Sequence, residues 1–144
     1  MHSHLIKDLL NLEGVIVKKV SHSDEDVVIM LETKAKPQIC PACGAKTGRI
    51  HDYRMQYVKD LPLQEKRCFL GLRKRRYICS CGKRFLEKYP FLARYQQRTV
   101  RLTAYIAAEL HSLQSVQAVA ERTNISSATV NRILDTISFD RSSL

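Results

Sequence analysis

The sequence predicts an α+β fold in which a small β-rich unit clamped by cysteines is followed by a helical unit. Three observations predict it. Two close cysteine pairs, Cys40-Pro-Ala-Cys43 and Cys79-Ser-Cys81, are each followed by a glycine and enclose strand-like runs. Upstream, β-branched residues cluster on both sides of a polar turn. From about residue 98 the apolar residues recur at helical spacing instead.

Residues 1–36 read as an N-terminal β-hairpin region, with Val15-Ile16-Val17 and Val20 leading into the turn Ser21–Asp26 and Val27-Val28-Ile29-Met30-Leu31 returning. Pro37 introduces the first cysteine knuckle. Thiolates two or three positions apart on a tight turn can face one zinc ion, and Gly44 and Gly82 permit the left-handed backbone that turns the following amides toward sulfur. Two such knuckles supply four ligands, which predicts a zinc-ribbon-like basic domain over 37–89. The second spacer is a single residue, so Cys68 or His51 stands as an alternative ligand.

Between the knuckles, Arg49–Val58 and Lys66–Ile78 are expected strands separated by the turn material Asp60-Leu61-Pro62. In the second strand Cys68, Leu70 and Leu72 alternate onto one face, with Phe69, Arg73, Arg75 and Tyr77 on the other. That pattern favours Cys68 as a small core residue. Arg84-Phe85-Leu86 closes the ribbon, and residues 90–98 form a connector.

The helical domain spans 99–144. Leu102, Ile106, Leu110 and Leu113 mark one face of a first helix that Thr99 caps and that ends near Ser112. Val116 to Leu134 reads as two helices joined at Thr123-Asn124-Ile125, with Val119, Ile125, Val130 and Ile133 buried between them and Ala120 at their crossing. Asn124 takes the left-handed turn position, and Ser126 or Ser127 caps the second helix. Ser127, Thr129, Asn131 and Arg132 fall on its leading edge. Arginine pairs with guanine and asparagine with adenine, so Asn131 and Arg132 are candidates for base readout, while the hydroxyls hold phosphates. A plain helical hairpin packed on the ribbon is the simpler reading of the same pattern.

The net charge of +10 is unevenly divided. Residues 1–36 carry five Lys/Arg against six Asp/Glu, residues 37–100 fifteen against four, and residues 101–144 four against four. Concentration on one module makes a polyanion the natural partner. Arg73, Lys74, Arg75, Arg76, Lys83 and Arg84 are the expected phosphate contacts, and Arg94 and Arg98 beside the connector are placed to follow the backbone or a minor groove. A solvated strand face is the plainer alternative.

The order of first knuckle, Arg49-Ile50-His51-Asp52-Tyr53, Asp60-Leu61-Pro62, Leu72-Arg73-Lys74-Arg75-Arg76-Tyr77, second knuckle, Gly82-Lys83-Arg84-Phe85 and a terminal helix-turn-helix resembles the N-terminal region of bacterial insertion-sequence transposases of the ISL-three group. The resemblance runs from about residue 10 to the end. It implies a zinc module with Cys40, Cys43, Cys79 and Cys81 as ligands. It also implies that this module and the helix-turn-helix bind the element's terminal inverted repeats, in a family whose catalytic domain is of the Asp-Asp-Glu type.

That chemistry needs three carboxylates on a sheet of on the order of a hundred residues. Ten residues follow Leu134. The expectation is a chain that binds double-stranded DNA and does not cut it, has no catalytic residue and no small-molecule substrate, and forms a homo-oligomer on DNA. No apolar run approaches the ~18 residues of a membrane span, and Lys7, Asp8 and Glu13 interrupt any signal-peptide centre, so a cytoplasmic, nucleoid-associated location is expected. The rivals are a stand-alone zinc-dependent transcription regulator, an RNA-binding ribbon stacking bases on Phe69 and Tyr77, and a thiol redox enzyme using Cys79 and Cys81 with His51 or His111.

Overall fold

The structure, a computed structural model, describes residues 12, 14–93, 96–112 and 114–142. Arg94 and Leu113, both singled out from the sequence, lie outside the described residues. Strands come first: β1 (Val15–His22), β2 (Asp26–Thr33), β3 (Gln38–Ile39), β4 (Lys46–Thr47), β5 (Ile50–Leu63), β6 (Lys66–Ile78) and β7 (Arg84–Leu86). Helices α1 (Val100–His111), α2 (Val116–Thr123) and α3 (Ser127–Ser142) follow.

The main sheet has the order β1-β2-β6-β5, with β7 added to the knuckle end of β6. The N-terminal hairpin, expected as a region of its own, is built into this sheet: Asp26–Leu31 runs parallel to Arg67–Leu72. A two-stranded hairpin buries too little to stand alone. Here Val27, Ile29 and Leu31 lie beside Cys68, Leu70 and Leu72, and with Val58, Tyr89 and Phe91 they form one core layer. Fully burying a Leu or Ile contributes roughly 1.5–3 kcal/mol each.

Asp60-Leu61-Pro62, expected as turn material, lies inside β5, where the pairing with β6 slips between Asp60 and Leu63. Such a slip tolerates a proline, which has no N–H for the ladder. The chain reverses at Gln64 and Glu65, both left-handed at φ 51° and 66°, between the paired Leu63 and Lys66. Two left-handed residues in succession match the twist of a hairpin.

The helices fold as their periodicity predicts. Thr99 caps α1 by accepting the Leu102 N–H, and Ser112 ends it. Leu102, Ile106, Leu110, Val119, Ala120, Ile125, Val130 and Ile133 form a second core, against which Leu61 of β5 packs. Asn124 is left-handed at φ 57°, and Ser126 caps α3 by accepting the Thr129 N–H at 3.2 Å.

The two cores are tied together at β5. The Lys59 N–H donates to Gln97 and the Thr99 N–H donates to Lys59, each at 2.9 Å, which sets Lys59 beside Arg98 in a short parallel bridge. One residue on, the buried Asp60 carboxylate accepts from the Thr99 hydroxyl at 2.7 Å and from Arg101 Nε at 2.8 Å. The connector is therefore bonded to the sheet at both its strand and its cap.

Candidate metal centre and nucleic-acid interface

The first knuckle sits on the β3–β4 hairpin and the second on the β6–β7 turn. In each, the first cysteine N–H donates across the turn, Cys40 to Ala45 at 2.8 Å and Cys79 to Lys83 at 2.9 Å. Each glycine N–H then donates back, Gly44 to Cys40 and Gly82 to Cys79, both at 2.9 Å. The glycines are left-handed, at φ 77° and 91°. The second knuckle thus keeps the hydrogen-bond pattern of the first with one residue fewer.

This brings the sulfurs of Cys40, Cys43, Cys79 and Cys81 within 4.8 Å of one another. Tetrahedral zinc with sulfur at ~2.3 Å sets neighbouring sulfurs about 3.8 Å apart. The Cys40–Cys81 and Cys43–Cys79 separations of 3.7 and 3.5 Å lie close to that edge. The Ala42 N–H also points at Cys40 Sγ, at 3.4 Å. Donor type, number and spacing all fit a metal of zinc's kind. The Cys81 N–H, then the Cys43 sulfur, pull the Cys79 thiol down to about 6. Although the Ala45 N–H lowers it, Cys43 is pushed up to about 11 by sharing a proton with Cys79. Cys68 belongs to the sheet core instead, 4% exposed, where burial and then the charge of Asp60 push its thiol up to about 12. His51 is not in the sulfur cluster.

The basic run is less free than its sequence suggests. Arg73 pairs with Glu32 at 3.3 Å and lies 3.8 Å over the Tyr53 ring. Lys74 donates to Gln56 at 3.0 Å, and burial lowers its ammonium pKa. Arg75 is buried against Glu87, 3.5 Å away, and donates to the Thr33 hydroxyl. Arg76 forks onto both carboxylate oxygens of Asp52. Tyr77, expected to face outward, is 1% exposed and donates to the Lys36 carbonyl. The strand's other face is covered here by residues around Lys36 and by Phe85, which stacks on Tyr77.

Cationic surface remains elsewhere. Lys83 and Arg84 are exposed beside the second knuckle, and Lys46 on β4, Arg49 just before β5 and Arg54 on β5, which sequence reasoning passed over as contacts, are exposed as well. None of these five makes an ion pair among the described residues. Arg54 lies in a stretch of β5 whose Tyr53, Met55 and Tyr57 are 44–56% exposed. The signal for that surface was the alternation of large residues along β5.

On α3, Ser127, Asn131 and Arg132 are exposed and Thr129 is half-buried. Arg132 folds back along its own helix, donating from Nε to the Ala128 carbonyl at 3.4 Å and from a terminal nitrogen to the Thr129 hydroxyl at 3.3 Å. Arg98, half-buried, donates to the Thr103 hydroxyl at 2.9 Å. The structure thus brings Arg98, Thr129 and Arg132 to one end of the helix-turn-helix, apart from the four sulfurs.

Residues 36–82 match the zinc-finger of transposase IS204/IS1001/IS1096/IS1165, and residues 87–138 match the helix-turn-helix domain of transposase family ISL3. The transposase for insertion sequence element IS1001 of Bordetella parapertussis is 35% identical over 120 residues, which are 81% of this chain and 29% of that protein. The chain therefore spans less than a third of the length of the curated relative it matches. No solved structure matches. No helix among the described residues is long and apolar enough to cross a membrane. With the sulfur cluster inside one matched segment and the left-handed Asn124 turn inside the other, this chain belongs to the ISL3 family of insertion-sequence transposases and carries that family's zinc-finger and helix-turn-helix regions in series.

Proposed function

We propose that this chain binds double-stranded DNA sequence-specifically, at the terminal inverted repeats of a mobile element, as the non-catalytic N-terminal part of a transposase. The observation that supports this most is the exposed edge of α3. It leaves a capped, left-handed turn followed by exposed Ser127, Asn131 and Arg132, on the edge that a helix entering a major groove presents. Asn131 and Arg132 read bases there, and Ser127 and Thr129 hold flanking phosphates.

Zinc, held by Cys40, Cys43, Cys79 and Cys81, closes the ribbon and does no chemistry on the DNA. With the cysteines so fixed, Lys83 and Arg84 stand at the tip of the second knuckle as phosphate contacts. Arg73 and Arg76 contribute field more than direct grip, since each already holds a carboxylate. Binding takes place in the cytoplasm, on the nucleoid, with two copies meeting across paired element ends.

A selection from random duplexes with the zinc-loaded chain tests this. The expected result is one enriched motif found at element ends, together with stoichiometric zinc. An enriched motif lying at promoters would favour a stand-alone regulator. Equal binding of all sequences, or none in dilute buffer, would overturn the reading.

A further inference from the structure

The bridge between Lys59 and Arg98 forms one wall of a cleft of about 180 Å³ whose opposite wall is the α2–α3 turn and the start of α3. Lys59, Gln97, Arg98, Ile125, Ser126 and Thr129 line it. Among the described residues its lining has two cations and no carboxylate. Lys59 Nζ donates to the Asn124 carbonyl at 2.6 Å, which leaves two ammonium hydrogens for another acceptor. Arg98 spends its Nε on Thr103, leaving its two terminal nitrogens available. Ser126 serves the Thr129 N–H, so the amides of Ser127 and Ala128 lie in a first turn that has no carbonyl behind it.

Three further features make this arrangement suited to an anion. The 16-residue α3 presents the positive end of its dipole at this point. Nearby Arg132 adds a third cation, and burial together with that charge lowers the pKa of Arg98. The neighbouring carboxylate, Asp60, is already engaged by Thr99 and Arg101. Like charges gathered without a counter-ion favour capture of an anion with several acceptor oxygens.

We propose that this cleft is a binding site for one phosphodiester group of the duplex backbone, gripped from the ribbon by Lys59, from the connector by Arg98 and from the start of α3 by Ser126 and Thr129. The inference rests on the DNA-binding reading and deepens it. One phosphate held by three elements at once fixes the register of the ribbon and the helix-turn-helix on the same duplex.

The test uses the full zinc-loaded chain, a duplex carrying its selected motif and a scrambled duplex. Arg98→Gln should lower the slope of log affinity against log salt by about 0.9 on both duplexes and leave their affinity ratio unchanged. Lys59→Gln should do the same, and should decide the matter if Arg98→Gln melts early. In a scan of single methylphosphonates, one linkage should weaken the wild type and add nothing to either variant's loss. Inorganic phosphate at matched ionic strength should compete no better than chloride, and preferential competition would assign the cleft to free phosphate instead. If the wild type binds and both variants keep its slope, or no linkage shows that coupling, the site is refuted. If the wild type ignores both duplexes, the DNA-binding reading falls first.

Discussion

The side chains of Arg75 and Glu87 are 10% and 4% exposed and sit 3.5 Å apart, so a residue that sequence selects as a phosphate contact belongs to the interior. Glu87 also accepts the Arg75 N–H and the Tyr89 hydroxyl, while Arg75 Nε is buried without a hydrogen-bond partner among the described residues. Arg75→Ala would leave that carboxylate buried and uncompensated. A loss of about 3–5 kcal/mol is expected in urea unfolding. Lys83→Ala with Arg84→Ala should behave oppositely, with the melting temperature unchanged and the salt slope flatter by about two units on every duplex. Asp52 gives a pH test. Its hydrogen bond to Arg76 and that guanidinium's charge outweigh the opposing effect of burial and leave its carboxyl below the ordinary 3.8. A depressed carboxylate contributes stability that is present above the ordinary value and lost as pH falls through the folded one. Melts below pH 4 should therefore fall less steeply for Asp52→Asn than for the wild type.

Elements differ in how openly the sequence announces them. β6 and β7 fall where alternation and the flanking knuckle place them, and the helix-turn-helix core matches its apolar period residue for residue. The β5–β6 turn was hidden because Gln64 and Glu65 carry no glycine or asparagine signal, while Pro62 two residues earlier advertises a reversal that the strand absorbs as a slip. Charge pairing was hidden for a different reason. Glu32, Asp52 and Glu87 lie 41, 24 and 12 residues from their arginines, and only the sheet's register brings them together. Asn124 is the helical counterpart of the hidden turn, but its side chain signals the left-handed position. Asn124→Ala should cost about 1 kcal/mol, and Asn124→Gly should be neutral or better, as read from thermal melts.

For the whole molecule, the four-cysteine cluster lies at one end of the sheet while the helices are bonded near the other, at Lys59 and Asp60. Stripping zinc is expected to release β3, β4 and β7 together with the knuckles, and to leave the helices and the β2–β6 layer largely intact. Circular dichroism at 222 nm should then change little, while amide exchange speeds up around Cys40 and Cys79. Uniform retention of exchange protection after verified metal removal would show that the cysteines are ordinary packing residues. That the ribbon and hairpin share one sheet was not legible, because parallel pairing between segments some forty residues apart leaves no local trace.

The parallel seam between β2 and β6 also limits how this protein can be cut. A fragment beginning at Lys36, where the family match to the zinc-finger starts, would strip Arg67–Leu72 of its neighbour and bare the aliphatic row beneath. Such an open border invites self-association into aggregates. Anyone transplanting the finger onto another protein should begin no later than Val15.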